Sequence, residues 1–154
     1  MTRSRRSEAD IRIVIAAVIA VVTFLGYYFN TSKNPITGET QRIGGITVED
    51  EIKLGIQAKG QMASQLGGLS DDPQANALVS SVGQRLLSGT IAGKGPWRYE
   101  FHVLADSQTV NAFALPGGEI FITQGLLDKL QSEGQLAGVL GHEIGHVVER
   151  HSAQ

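Results

Sequence analysis

Apolar residues recur at helical spacing in three stretches of this chain, alternate with polar ones in another, and fill one unbroken run near its start. That run, residues 13–29 (IVIAAVIAVVTFLGYYF), is uncharged over 17 positions. As a helix it covers roughly 25 Å, a little short of a ~30 Å hydrocarbon core. Ile11 extends it, Arg12 can snorkel to the headgroups, and Tyr27 and Tyr28 fall where interfacial aromatics belong. No polar face appears over four turns, which argues against a buried core helix. The run also exceeds the ~7–15 apolar residues of a cleaved signal, and no convincing A-x-A site follows. Residues 11–29 therefore predict an uncleaved single-pass anchor in lipid. Arg3, Arg5, Arg6 and Arg12 outweigh Glu8 and Asp10 on the near side. The positive-inside rule then keeps residues 1–12 cytoplasmic and places the remainder in the periplasm or another extracytoplasmic space.

Residues 30–46 contain Asn34-Pro35, Thr37-Gly38 and Gly44-Gly45 and predict a linker. Thr47 and Asp50 form a capping box opening a helix with Ile52, Ile56, Met62 or Ala63, and Leu66 on its apolar face; Gly67-Gly68 ends it. The next helix has Asp72 as cap and Pro73 at its first position, an apolar stripe of Ala75, Leu78, Val79, Val82 and Leu86, and Gly89 as its stop. The period then drops to two. Tyr99, Phe101 and Val103 alternate with Glu100 and His102, so residues 98–104 predict a half-buried strand with His102 on its exposed side. Residues 110–115 and 120–123 flank Pro116-Gly117-Gly118, a pattern for a hairpin closed by a type II turn. A short helix over 124–130 follows.

A last helix opens at Ser132, with Gln135 in a second capping-box arrangement, and buries Leu136, Val139 or Leu140, Ile144 and Val147. Gly134, Gly138, Gly141 and Gly145 interrupt it. Each costs about 1 kcal/mol relative to Ala, so another element is expected to approach closely along that small face. No stop signal precedes Gln154, and the helix is expected to run on as though truncated. The chain thus divides into tail and anchor (1–29), linker (30–46) and a domain over 47–154.

Composition narrows the function. Apolar residues make up 42% and charged residues 18%, enough to bury a core. A net charge of −2 leaves no basic excess for phosphates, so no nucleic-acid partner is expected. The absence of cysteine excludes disulfide scaffolds, thiolate zinc sites and thiol catalysis.

The chemistry concentrates in the last helix, where His142-Glu143-Ile144-Gly145-His146 spells H-E-x-x-H. Positions i and i+4 share one face, so two imidazoles can converge on one metal ion. Glu143 stands about 100° around the helix, free to act as a base beside the metal. Residue types and spacing are those metal-assisted amide hydrolysis requires. With four histidines in the chain, chance produces this motif roughly 0.006 times per chain of such composition, which bounds the false-positive risk. A catalytic zinc normally takes three protein ligands. Glu149 is ~10.5 Å along the same helix from His142, His151 points elsewhere on it, and His102 depends on a topology that periodicity does not give. The third ligand is expected beyond Gln154.

NAFALPGGEIFITQGLL (111–127) followed by LAGVLGHEIGHVVERHSAQ (136–154) resembles the gluzincin metalloendopeptidases. Within them it is similar to the membrane-associated group of HtpX-type heat-shock proteases, CAAX prenyl proteases and mitochondrial Oma-type proteases. NPITGETQR (34–42) is similar to exported bacterial members. The resemblance implies an incomplete α+β zincin-like domain, one Zn2+ per chain on His142 and His146, Glu143 as general base, and a third ligand, a Glu, on a later helix. It also implies polypeptide substrates: membrane-associated or misfolded exported proteins, hydrolysed as part of quality control. Zinc proteases commonly bind substrate as a strand added to a sheet edge. Residues 110–115 or 120–123 would supply that edge, with Asn111, Phe113 and Ala114 as candidate substrate contacts. Phe113 and Leu115 fit a core equally well, and Asn111 a turn. The rival reading is a non-catalytic membrane-anchored scaffold or chaperone that keeps the metallopeptidase fold.

Overall fold

The computed structural model describes residues 31–42 and 45–151. The expected anchor at 11–29 lies outside them; among the described residues no helix is long and apolar enough to cross a membrane.

Three strands organise the domain. β3 (Glu100–Leu104), β4 (Ala112–Ala114) and β5 (Glu119–Thr123) form one sheet in the order β3-β5-β4. The hairpin is present: β4 runs antiparallel to β5 with Phe113 opposite Phe121. Its turn has the predicted geometry, with Gly117 at φ 84°, ψ −7°, the third position of a type II turn. β3 lies parallel to β5, with Glu100 opposite Glu119. Ile120–Thr123 is therefore the sheet's centre and cannot be the edge on which a substrate strand adds. Among the described residues β4 is the edge on that side.

Alternation along the strands gives the sheet two different faces. Val103, Ile120 and Ile122 point into the larger core. It is closed by α2 (Pro73–Gly89) and α4 (Glu133–Val148) through Val79, Val82, Leu136, Leu140, Ile144 and Val147. Leu104 and Phe121 point the other way into a smaller cluster with Ala63 of α1 (Val48–Gln65), joined by Phe113 and Leu115. The helix starts behave as their sequences predict. Thr47 and Asp50 make both capping-box bonds, and Asp72 accepts from Gln74 N and Ala75 N ahead of Pro73. Ser132 accepts from Gln135 N, but the Gln135 side chain accepts from Gln131 N, so that box is only half closed. A one-turn helix α3 (Gln124–Leu127) follows β5, shorter than the 124–130 predicted, and is capped by the Thr123 hydroxyl.

Among the described residues, the close approach expected along the glycine face of α4 is not there. A Cβ added at Gly138, Gly141 or Gly145 would meet nothing within 4 Å. Backbones meet instead on the α1 side. A Cβ on Gly55 would lie 2.1 Å from the Pro116 carbonyl oxygen, and one on Gly117 would lie 2.4 Å from the Ile52 Cα. Glycine serves α1 and the hairpin turn, not the motif helix.

The segment expected as a linker is structured where it is described. β1 (Thr31–Lys33) and β2 (Thr40–Arg42) pair antiparallel. The hairpin docks onto the end of α4: Asn34 Nδ2 donates to the Val148 carbonyl at 2.5 Å and Gln41 Nε2 to that of Glu149 at 2.9 Å. These bonds satisfy carbonyls that a helix end leaves without intrahelical partners.

Candidate metal centre

α4 stops earlier than its sequence predicts. Its last residue is Val148, and Arg150 takes a left-handed φ of 55°. No glycine or asparagine marks the stop; a buried ion pair does. Arg150 Nε donates to Glu51 Oε1 at 2.6 Å, and its Nη atoms reach the Ser32 hydroxyl and the Ile46 carbonyl. Trp97 Nε1 donates to the other Glu51 oxygen at 3.2 Å. Glu51 and Arg150 are both buried, and a carboxylate so buried demands such partners. In sequence Glu51 looks like an ordinary acidic residue in a helix's first turn. No local signal links it to an arginine 99 positions later.

The turn at Arg150 also moves His151. It does not continue the helix and point away: its Nδ1 lies 2.6 Å from His146 Nδ1. The opposite nitrogen of His146, Nε2, faces His142 Nε2 at 3.0 Å. Two ligands on one zinc at ~2.0–2.1 Å and tetrahedral angles stand about 3.3 Å apart, so the two imidazoles fit a shared ion with little adjustment. Glu149 belongs to the helix end and its carbonyl serves Gln41.

Glu143 is buried where His142 is exposed, and both line two adjoining recesses. One is walled by Asn111, Ala112, Leu126 and Gly138; the other by Ala112, Phe113, Ala114, His146 and His151. The edge strand β4 therefore borders the histidine pair and Glu143. Of the substrate candidates, Asn111 is tied to the sheet, its N–H donating to the Thr123 hydroxyl at 3.1 Å and its carbonyl accepting from Thr123 N. Phe113 stacks on Phe121, ring centroids 5.0 Å apart, and packs its side chain in the α1-side core. Ala114 packs against the larger core. The loop into β4 is fixed by Asp106. Hydrogen bonds from the Thr109 side chain, then from the Thr109 and Gln108 N–H groups, hold its carboxyl below the ordinary range.

His102 is neither exposed nor near the motif. It faces the α1 side, tilted against Phe121 at 4.9 Å, with Nε2 2.5 Å from Glu119 Oε2. The parallel register of β3 and β5, invisible to periodicity, puts it there. Among the described residues, neither His102 nor any other side chain joins His142 and His146 as a third ligand; the one group of three candidate ligands is Glu100, His102 and Glu119.

Residues 73–154 match the model of peptidase family M48. That is just over half of the chain, and it includes the helix with both imidazoles and Glu143. The chain belongs to peptidase family M48. Among curated relatives it is 32% identical over 130 residues to the mitochondrial metalloendopeptidase OMA1 of Schizosaccharomyces pombe, covering 83% of this chain and 38% of that protein. It is 31% identical over 109 residues to the beta-barrel assembly-enhancing protease of Escherichia coli K12, covering 71% of this chain and 22% of that protein. A putative beta-barrel assembly-enhancing protease of Vibrio cholerae matches at 34% over 109 residues, covering 71% of this chain and 22% of that protein. The chain thus spans well under half the length of these M48 relatives, and the resemblance read from its two C-terminal motifs holds at the level of the family.

Proposed function

We propose that this M48 chain carries the ligand-and-base helix of a zinc endopeptidase. The observation that supports it is the pair of Nε2 atoms 3.0 Å apart with buried Glu143 between two recesses bordered by an edge strand. A zinc ion held by His142 and His146 would supply Lewis acidity, polarising a carbonyl and making water nucleophilic near neutral pH. The third ligand comes from outside the described residues, in a polypeptide longer than this chain, as the length of its relatives suggests.

The chain's own residues account for the rest. Substrate lies extended along the free edge of β4, so that main-chain groups of Ala112–Ala114 bind it with little sequence preference. Ala114 acts there through its backbone, Asn111 by tying the start of the strand to Thr123, and Phe113 by keeping the strand flat against Phe121 rather than by touching substrate. Glu143 takes the proton of the attacking water on its carboxylate and delivers it to the leaving amine. The anchor at residues 11–29 holds this machinery at the outer face of a membrane, where membrane-associated or misfolded exported polypeptides are its substrates.

The test is casein or unfolded-protein cleavage by the native polypeptide and its Glu143→Gln variant. Loss of cleavage with zinc retained is expected. Cleavage surviving in Glu143→Gln overturns the mechanism. Absence of any cleavage in the native polypeptide favours a membrane-anchored scaffold.

A further inference from the structure

On the face of the sheet away from α4, three ligand-type side chains converge. Glu100 and His102 are two apart on β3 and so share one face; Glu119 sits opposite Glu100 on β5. His102 Nε2 lies 2.5 Å from Glu119 Oε2 and 3.7 Å from Glu100 Oε2, and all three donor atoms fall within 4.8 Å of one another. Ligands sharing one ion at ~2.0–2.2 Å stand roughly 3–4 Å apart. The shortest pair has to open, by under about 1 Å. Rigid strands present the donors, and Phe121 against the imidazole fixes its ring.

A cation already stands in this place. Lys59 of α1 reaches across so that its ammonium lies 2.7 Å from Glu100 Oε2 and 3.3 Å from Glu119 Oε2. It balances one of the two carboxylates, of which Glu119 is buried. Lys59 comes on a flexible four-carbon arm that is partly exposed, so it can leave to solvent without disturbing the strands.

We propose that Glu100, His102 and Glu119 form a second divalent-cation site, with Lys59 as a built-in occupant that the metal displaces. One imidazole and two carboxylates make a borderline donor set suited to Zn2+. The site is distinct from the H-E-x-x-H centre, being on the other face of the sheet and sharing no residue with it. It binds more weakly, because each ion must evict an ammonium, and acid weakens it further by protonating its ligands.

The experiment uses the full chain in detergent with His142→Ala and His146→Ala together, so its result does not depend on the proposed peptidase reading. Zinc binding is read by competition with a chromophoric chelator. One equivalent of zinc should remain. Adding Lys59→Met should tighten it by about tenfold or more, as removing a competing unit charge a few ångströms away requires. Adding His102→Gln should abolish it, with circular dichroism confirming an unchanged fold. Should His102→Gln fail to fold, the Lys59→Met comparison decides. No zinc bound to the double variant, or binding indifferent to Lys59→Met, overturns the proposal.

Discussion

The two faces of the central sheet carry similar chemical groups in opposite circumstances. On the α4 side, His142 and His146 turn their Nε2 atoms toward each other, and a Cβ added at Gly138, Gly141 or Gly145 would meet nothing within 4 Å among the described residues. On the α1 side, His102 and two glutamates already hold a lysine, and Gly55 is seated tightly on the hairpin turn. Imidazoles and carboxylates do not by themselves make a reactive centre. On the α1 side the fold supplies its own cation, which a metal ion has to displace; on the α4 side it supplies none and leaves space. Arg150 and Glu51 join the two halves, fastening the end of α4 to the start of α1.

The largest effects belong to the open side. Glu143→Gln should lower endopeptidase activity of the native polypeptide by about 10²-fold or more while leaving zinc content and unfolding temperature unchanged. His146→Ala should lose the zinc of the histidine pair, and activity with it. Metal analysis beside a cleavage assay separates the two, and zinc loss in Glu143→Gln would erase the contrast between base and ligand.

That side was legible in the sequence because it is local. Two histidines four apart on one helix must share a face whatever the rest of the chain does. The hairpin was legible for the same reason, since Pro116-Gly117 specifies its own turn. The other side depends on register between strands separated by a connection, so His102 read as an exposed strand residue, and nothing local singled out Glu51. The glycines of α4 misled in a different way: their cost in a helix implied a neighbour, and the neighbour is absent among the described residues.

Next in size is the fastening between the halves. Arg150→Met leaves the Glu51 carboxylate buried without its cation, and should destabilise the domain by about 3–5 kcal/mol in denaturant unfolding. A loss under about 1 kcal/mol, the level of an exposed pair, would mean that the two faces are not joined there.

Glycine substitutions sharpen the contrast by sign. Gly55→Ala drives a methyl into the Pro116 carbonyl and should cost about 1–3 kcal/mol. Gly141→Ala enters open space and should stabilise by up to about 1 kcal/mol through helix propensity. Thermal unfolding of the two variants side by side checks both directions.

The smallest effect is electrostatic. A hydrogen bond from Lys59 holds the Glu100 carboxyl below its ordinary value of 4.5, against a lesser contribution from burial that raises it. A depressed carboxyl stabilises the fold above its unfolded pKa, and that contribution fades as pH falls through the lower folded value. Lys59→Met should therefore move the Glu100 titration, followed by NMR, upward toward 4.5 and remove this shallow acid-side dependence. Glu100 is largely exposed, so the change in stability should be slight.

The most direct test of the account is an anomalous diffraction map at the zinc edge from crystals of the native polypeptide. The account predicts a peak about 2.0–2.1 Å from Nε2 of both His142 and His146, with the Glu143 carboxylate beside the ion but outside its ligand shell. A peak ligated by Glu143, or no peak at the histidine pair in zinc-loaded crystals, would contradict it.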